Sequence, residues 1–281
     1  MRHIPAEKQQ RLDQYVIEKH PELSRTAATK LIEEGNVKVN KVAQIKSGYK
    51  IRPNDKIYIK YSSETKIILP TIDLPVLYED DDCVVIDKPV GLLTHSKGAF
   101  NPEATVASWL SPKVTGMNGD RAGIVHRLDR ATSGVMICAK TPEALSWLQK
   151  QFSLRKVKKS YIAIVEGEFN LSEAIIDMPI ERHPKKPQTF RVGSNGKEAT
   201  TQYKVLKSVG RKSLVELKPT TGRTHQLRVH LAHIKHPIIG DTFYHGPPAD
   251  RLYLHAKSLE ITLPNRKRTI FESKLPKEFT L

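Results

Sequence analysis

The chain has 281 residues, 38% of them hydrophobic, enough to build a core in one large domain and one small one, which excludes a disordered protein. Its 46 Lys and Arg against 30 Asp and Glu give a formal charge of +16, which favours a polyanionic partner such as nucleic acid. No apolar run approaches the roughly 18 residues of a membrane span, and Met1 to Lys8 lacks the features of a signal or transit peptide. A cytoplasmic monomer without a membrane partner is therefore expected. Cys83 and Cys138 lie in apolar strand-like runs and read as small core residues in a reducing compartment.

Residues 1–62 read as a small α+β module. Apolar residues recur at helical spacing from Arg11 to Ile17, and Ser24 is a good N-cap for a second helix over residues 25–32 that ends at Gly35. A strand at 37–39, a turn at Asn40-Lys41 and strands ending at residues 55–60 follow. Arg25, Lys30, Lys38 and Lys41 gather near the second helix and the turn after it, either as a solvated face or as an RNA-binding one. The run Arg-Leu-Asp, then Ser-Arg, then Gly-x-Val-x-Val-Asn resembles the RNA-binding domain first described in ribosomal protein S-four. That resemblance implies that these four cations grip RNA, through phosphates and shape.

A linker is expected over 63–75, and a larger domain over 76–281. Val76-Leu77-Tyr78 and Cys83 to Ile86 read as strands flanking the acidic turn Glu79 to Asp82, a hydrated hairpin in preference to a metal site, because consecutive acids in a tight turn point apart.

The stretch Ile124-Val125-His126-Arg127-Leu128-Asp129-Arg130-Ala131-Thr132-Ser133-Gly134 sets one acid between two arginines and turns at Gly134 into a buried strand, residues 135–139. Neighbouring cations would keep that acid ionised. On its own it is either a surface turn of paired charges or a functional turn carried on a rigid strand. Residues 141–152 carry a helical apolar stripe, Ala144, Leu145, Leu148 and Phe152, that belongs in the core. A basic run from Arg155 to Lys159 then precedes Tyr161, which opens a strand over 162–165. Cations beside an aromatic ring suit an extruded nucleotide, and equally suit a plain amphipathic strand start.

Towards the end, strand 214–217 and turn 219–223 lead into a helix from Thr224, its expected cap, to His233, with Leu227, Leu231 and Ile234 on one face. His225, His230, His233 and His236 invite a metal reading, but no cysteine or acid completes a ligand set before Asp241, so no metal is expected. No glycine-rich phosphate loop is present, and no cofactor is expected.

His-Arg-Leu-Asp, two residues, then Thr-Ser-Gly resembles the catalytic motif of the RluA-type RNA pseudouridine synthases. The Lys88-Pro89-Val90-Gly91-Leu92 run before it, and the Lys-x-Tyr at Tyr161 and the Thr-Gly-Arg-x-His-Gln-Leu-Arg-x-His-Leu run after it, are similar to that family's other motifs. The resemblance implies that Asp129 is the catalytic aspartate, Arg228 its partner arginine, Tyr161 the active-site tyrosine and Arg127 the side chain that fills the gap left by a flipped base. Lys88 is given no catalytic role. It also implies an isomerase acting on uridines in structured RNA, and the appended RNA-binding module favours ribosomal RNA over transfer RNA. The expected fold is α+β, with a mixed, mainly antiparallel sheet and flanking helices in the catalytic domain. Two other readings stand beside it: a non-catalytic RNA-binding protein in which Asp129 and Arg228 are only an ion pair, and a metal-dependent RNA hydrolase.

Overall fold

A computed structural model describes residues 10–61 except 22 and 24, residues 70–95, and residues 103–281 except 120. The opening Met1 to Lys8, the Ser24 cap and most of the expected linker lie outside these residues. The described chain falls into two compact units, one ending at Pro70 and one formed by residues 71–95 and 104–281.

In the first unit, helices α1 (Leu12–Lys19) and α2 (Arg25–Glu33) pack through Leu12, Val16, Ala27, Ala28, Leu31 and Ile32. Their core is closed by Val37 and Val39 of strand β1 (Val37–Val39), which lies between β2 (Val42–Ala43) and β3 (Ile57–Ile59) in an antiparallel sheet. Asn40 and Lys41 take left-handed backbone angles, φ 52° and 71°, to make the two-residue turn. The carboxylate of Asp13 is buried and bound by Arg11 at 2.9 and 3.0 Å and by Arg25 at 3.3 Å. Arg25, Lys30, Lys38 and Lys41 are all exposed, Arg25 while held on Asp13 and Lys30 while paired with Glu34.

The second unit is built on a nine-stranded sheet. Its strands are β4 (Val76–Glu79), β5 (Cys83–Lys88), β6 (Ser133–Ala139), β7 (Lys158–Glu166), β8 (Glu173–Asp177), β11 (Thr200–Val209), β12 (Lys212–Pro219), β13 (Leu254–Thr262) and β14 (Arg268–Glu272). They run in the order β4-β5-β6-β13-β7-β12-β11-β8, with β14 on β13. Every pairing is antiparallel except β6 with β13, so the sheet is mixed and mainly antiparallel, as expected. A separate hairpin, β9 (Ile180–Arg182) and β10 (Phe190–Val192), completes the strands.

Strand β6 is buried at all seven positions because both of its faces are covered. Val135, Ile137 and Ala139 pack with Ala144 and Leu148 of helix α4 (Pro142–Ser153). Met136 and Cys138 face helix α3 (Val106–Leu110) through Val106 and Leu110. Gly134 tolerates no side chain: φ is +113°, and a Cβ would fall 2.2 Å from the carbonyl oxygen of Ala256. The acidic turn is a hairpin in which Asp80 accepts from the backbone N–H groups of Asp82 and Cys83. Cys83 and Cys138 are buried free thiols.

Two expectations need correcting. Tyr161 is the fourth residue of β7, since pairing with β13 already begins at Lys158. Helix α5 spans Gln226–His233; its N-cap residue is His225, in the left-handed region at φ 57°, and Thr224 does not cap it. Among the described residues no helix is long and apolar enough to cross a membrane.

Candidate active site

Asp129 sits in a turn that other segments hold from behind. The Thr94 hydroxyl donates to the Leu128 carbonyl at 2.7 Å, and the N–H of Gly91 to the Arg130 carbonyl at 2.8 Å. Lys88, wholly buried, donates from Nζ to the carbonyls of Pro89 (2.9 Å), Leu92 (2.8 Å) and Arg130 (3.4 Å). Burial lowers its pKa to about 8, with the charge of Asp129 working the other way. The Lys-Pro-x-Gly-Leu run therefore ties the aspartate's loop to β5. On the other side, His126 accepts from the Ile137 N–H and stacks on Phe152 at 4.7 Å; burial lowers its pKa to about 3, so the ring is a neutral structural group.

Helix α5 supplies the cation. Arg228 reaches Asp129 from 99 positions away, with Nη1 3.5 Å from Oδ2. Its short contacts go elsewhere: Nε and Nη2 each lie 2.7 Å from the two oxygens of Asp241, whose carboxylate is fully buried. The two-pronged grip of Arg228 is made on Asp241, and Asp129 receives a single longer contact. Although burial opposes its charge, hydrogen bonding to Asp241 holds the Arg228 guanidinium above its ordinary pKa. The rings of Phe243 and Tyr244 lie 5.4 and 5.1 Å from its central carbon.

His225 is the second neighbour of Asp129, Nε2 to Oδ2 3.7 Å. Its Nδ1 is 2.7 Å from the Tyr244 hydroxyl, which also accepts from the Phe190 N–H at 3.0 Å. Burial lowers the His225 pKa. A neutral ring beside a carboxylate keeps its proton on Nε2, so Nδ1 accepts from Tyr244 and a chain of donors runs from Phe190 through Tyr244 and His225 to Asp129. A left-handed non-glycine residue costs energy, and such strain collects where a side chain must be aimed. Gln226 locks the preceding turn, accepting from Thr221 (2.7 Å) and the Arg223 N–H (2.9 Å) and donating to Thr200 and Thr201.

These groups line a cavity of about 510 Å³ whose walls include Arg127, Asp129, Lys159, Tyr161, His225 and Arg228. Arg127 is exposed at its edge. The Tyr161 phenol is pushed up by burial and by the charge of Asp129, so it stays protonated. Lys159 is lowered to about 8 by burial and donates to the Thr221 carbonyl at 3.0 Å. Asp129, Arg127, Tyr161 and Arg228 thus meet in one pocket. Arg25, Lys30, Lys38 and Lys41 belong to the other unit and do not line it. Among the described residues no three or more His, Cys, Asp or Glu side chains form a metal-binding group. His230 is engaged with Thr201 and the Met178 carbonyl, and His236 with the Glu166 carbonyl.

The sequence reading missed Asp241, His225, Tyr244 and Gln226. His225 and Gln226 stood within a matched motif, so their positions were visible while their partners were not.

A cationic pocket around one loosely held carboxylate, on a mainly antiparallel sheet, suits an anionic ligand such as a nucleic acid. Family models agree: RNA pseudouridylate synthase matches residues 82–233, and the S4 domain matches residues 10–57. The chain belongs to the RNA pseudouridylate synthase family and is an isomerase that converts uridine to pseudouridine in RNA. Among its relatives, ribosomal large subunit pseudouridine synthase D of Xylella fastidiosa is 38% identical over 84% of this chain and 71% of that protein. The enzyme of the same name from Borreliella burgdorferi is 36% identical over 96% and 88%. The structure of human RNA pseudouridylate synthase domain containing 4 superposes with a TM-score of 0.59 at 30% identity, covering 73% of this chain and 90% of that one.

Proposed function

We propose that this chain isomerises uridines in large-subunit ribosomal RNA, with Asp129 as the catalytic residue. The substrate reading is supported by the names of the relatives. The observation that carries the site reading is the Asp129 carboxylate on the wall of the 510 Å³ cavity, loosely held at 3.5 and 3.7 Å by Arg228 and His225. The reaction breaks the C1′–N1 bond, turns the uracil, joins C1′ to C5, releases the C5 proton and adds a proton at N1, so that the product is an isomer of the substrate. Nothing is oxidised, so the reaction needs no redox cofactor. Hydrolysis of a glycoside uses two carboxylates and a water; here water is kept out and one carboxylate acts at the ribose.

In this reading Arg228, anchored on Asp241, keeps Asp129 oriented towards the cavity. The protonated Tyr161 faces the base. Arg127 enters the stack that the flipped nucleotide vacates. Residues 1–62 form the RNA-binding module, with Arg25, Lys30, Lys38 and Lys41 on phosphates; 63–75 link it to the catalytic domain at 76–281. The protein works as a monomer in the cytoplasm, without metal. Tritium release from a ribosomal RNA transcript labelled at C5 of uridine tests this. Wild-type protein should release it in the presence of EDTA, and Asp129→Ala should not. Release by Asp129→Ala at the wild-type rate ends the proposal for that residue.

A further inference from the structure

A second cavity, of about 370 Å³, lies against Tyr244, the residue whose hydroxyl holds His225. It opens between the tip of the β9–β10 hairpin and the end of α5. Its walls carry two aromatic rings, Phe190 and Phe243, and the cationic side chains Lys186 and Lys235, with His183 and His245 beside them. No carboxylate is among its described lining residues. We propose that this cavity is a second nucleotide site, taking the base and phosphate of an RNA residue next to the uridine in the active pocket. The inference rests on the function proposed above.

Three observations support it. The first is chemical. Phe243 is 50% exposed, and an exposed ring inside a concave, positively charged site offers what an unstacked base needs, a π face with cations nearby for its phosphate. One face of Phe190 is already covered by the Arg182 guanidinium at 5.0 Å. The size, about 370 Å³, falls within the roughly 300–1,000 Å³ typical of small-ligand pockets.

The second is that the rim is built. The His183 ring accepts at Nδ1 from the backbone N–H groups of Lys185 and Lys186, at 3.2 and 3.1 Å, and Arg182 donates to the Pro187 carbonyl across the tip. The hairpin is thus set by side-chain contacts where a flexible basic loop would need none. Lys235 and His245 sit in the left-handed region at φ 69° and 63°, where they close α5 and the turn Thr242–Tyr244 and so fix the rim at both places.

The third is the connection to the chemistry. Phe243 lies over Arg228, and the ring of His225 meets those of Phe190 and Phe243 at centroid distances of 5.7 and 6.2 Å. The two cavities share this partition, so neighbouring nucleotides of one strand can occupy both. Solvated lysines around a surface groove would explain the charge. They leave the exposed ring of Phe243 unexplained.

The test uses the full chain and an unmodified large-subunit ribosomal RNA transcript carrying 5-tritiated uridine. The double variant K186E/K235E should raise KM about tenfold or more, as loss of two phosphate contacts requires, with kcat within about twofold. K207E/K212E, at the far end of the β11–β12 hairpin, carries the same change in charge and should raise KM less than about threefold. Equal effects of the two pairs would overturn the site, because charge alone would then suffice. In a separate arm, a transcript containing 4-thiouridine is irradiated with the protein. Crosslinks should appear in the peptides holding Phe190 and Phe243, and crosslinks confined to the Tyr161 peptide would overturn the proposal. This arm reads binding without turnover, so a failure of the proposed catalytic role leaves it standing. A wild type that neither binds nor modifies this transcript would overturn the ribosomal substrate and the second site together.

Discussion

The tripeptide Arg-Leu-Asp occurs twice, at residues 11–13 and at 127–129, and the two copies do opposite things. In the small unit Arg11 folds back onto Asp13 with two bonds, Arg25 adds a third, and the N–H of Gln14 a fourth at 3.0 Å; the carboxylate is 2% exposed. Hydrogen bonding from Arg11 leads the effects that lower its pKa. In the large unit Asp129 is 21% exposed towards a cavity and has contacts of only 3.5 and 3.7 Å. A saturated acid stabilises a fold; an acid with open lone pairs facing a cavity remains available to a substrate. Identical local sequence thus acquires different roles from what the rest of the chain brings to it.

The largest effect that should separate the copies is on turnover. Asp129→Ala should reduce tritium release by at least about a thousandfold, since no other carboxylate is among the described residues lining the cavity, while thermal unfolding shifts by less than about 1 kcal/mol because the lost contacts are long. Comparable losses of stability and turnover would mean that Asp129 is structural, like Asp13.

Arg228→Ala should come next, and it should harm both quantities. Its two 2.7 Å bonds go to a carboxylate with no exposure, and stranding a buried charge costs about 3–5 kcal/mol. Chemical denaturation would measure it. Arg228→Lys should recover little, because an ammonium cannot reproduce the planar two-pronged contact. A stable Arg228→Ala protein would show that Asp241 has another partner.

Local chemistry made much of this visible in advance. The buried strand after Gly134, the helix with the stripe Ala144, Leu145, Leu148 and Phe152, the acidic hairpin and the module's helices were all readable from periodicity and turn residues. The pairing of Arg228 with Asp241 was not, because a bidentate bond depends on the path of residues 234–241 after α5, which is irregular. Nor was the left-handed His225 readable: its sequence context fits an ordinary helix start with Thr224 as the cap. The sequence assigns Lys88 no catalytic role, and only the carbonyls of Pro89, Leu92 and Arg130 converging on it reveal a buried support.

His225 should give a smaller, graded loss. As a positioning residue it would act through Asp129, so His225→Ala should lower kcat by about a hundredfold, as misplacing a reacting group does, with KM little changed. His225→Gln, which returns an N–H near the Nε2 position, should recover part of it. The pH profile separates this role from packing. Because burial lowers the folded pKa of His225 below the ordinary histidine value, the ring is neutral at pH 7 and protonates only as pH falls below that value. The same shift makes stability complete above the unfolded pKa and lost as pH falls towards the folded one. Activity should therefore fall on the acid side in wild type, and that limb should flatten in His225→Gln. An unchanged limb would remove His225 from the site.

The smallest effect belongs to the other copy of the tripeptide. Asp13→Ala frees Arg11 and Arg25, whose side chains are 43% and 63% exposed and so regain water at little cost. The loss should be about 1–2 kcal/mol, confined to the first unit and seen as earlier loss of amide-exchange protection in α1 and α2. Two cations released from a carboxylate become available to phosphate. RNA affinity in low salt should then hold or rise slightly and the salt slope steepen, while kcat on saturating transcript stays at the wild-type value. A fall in kcat as large as that of Asp129→Ala would erase the distinction between the two acids.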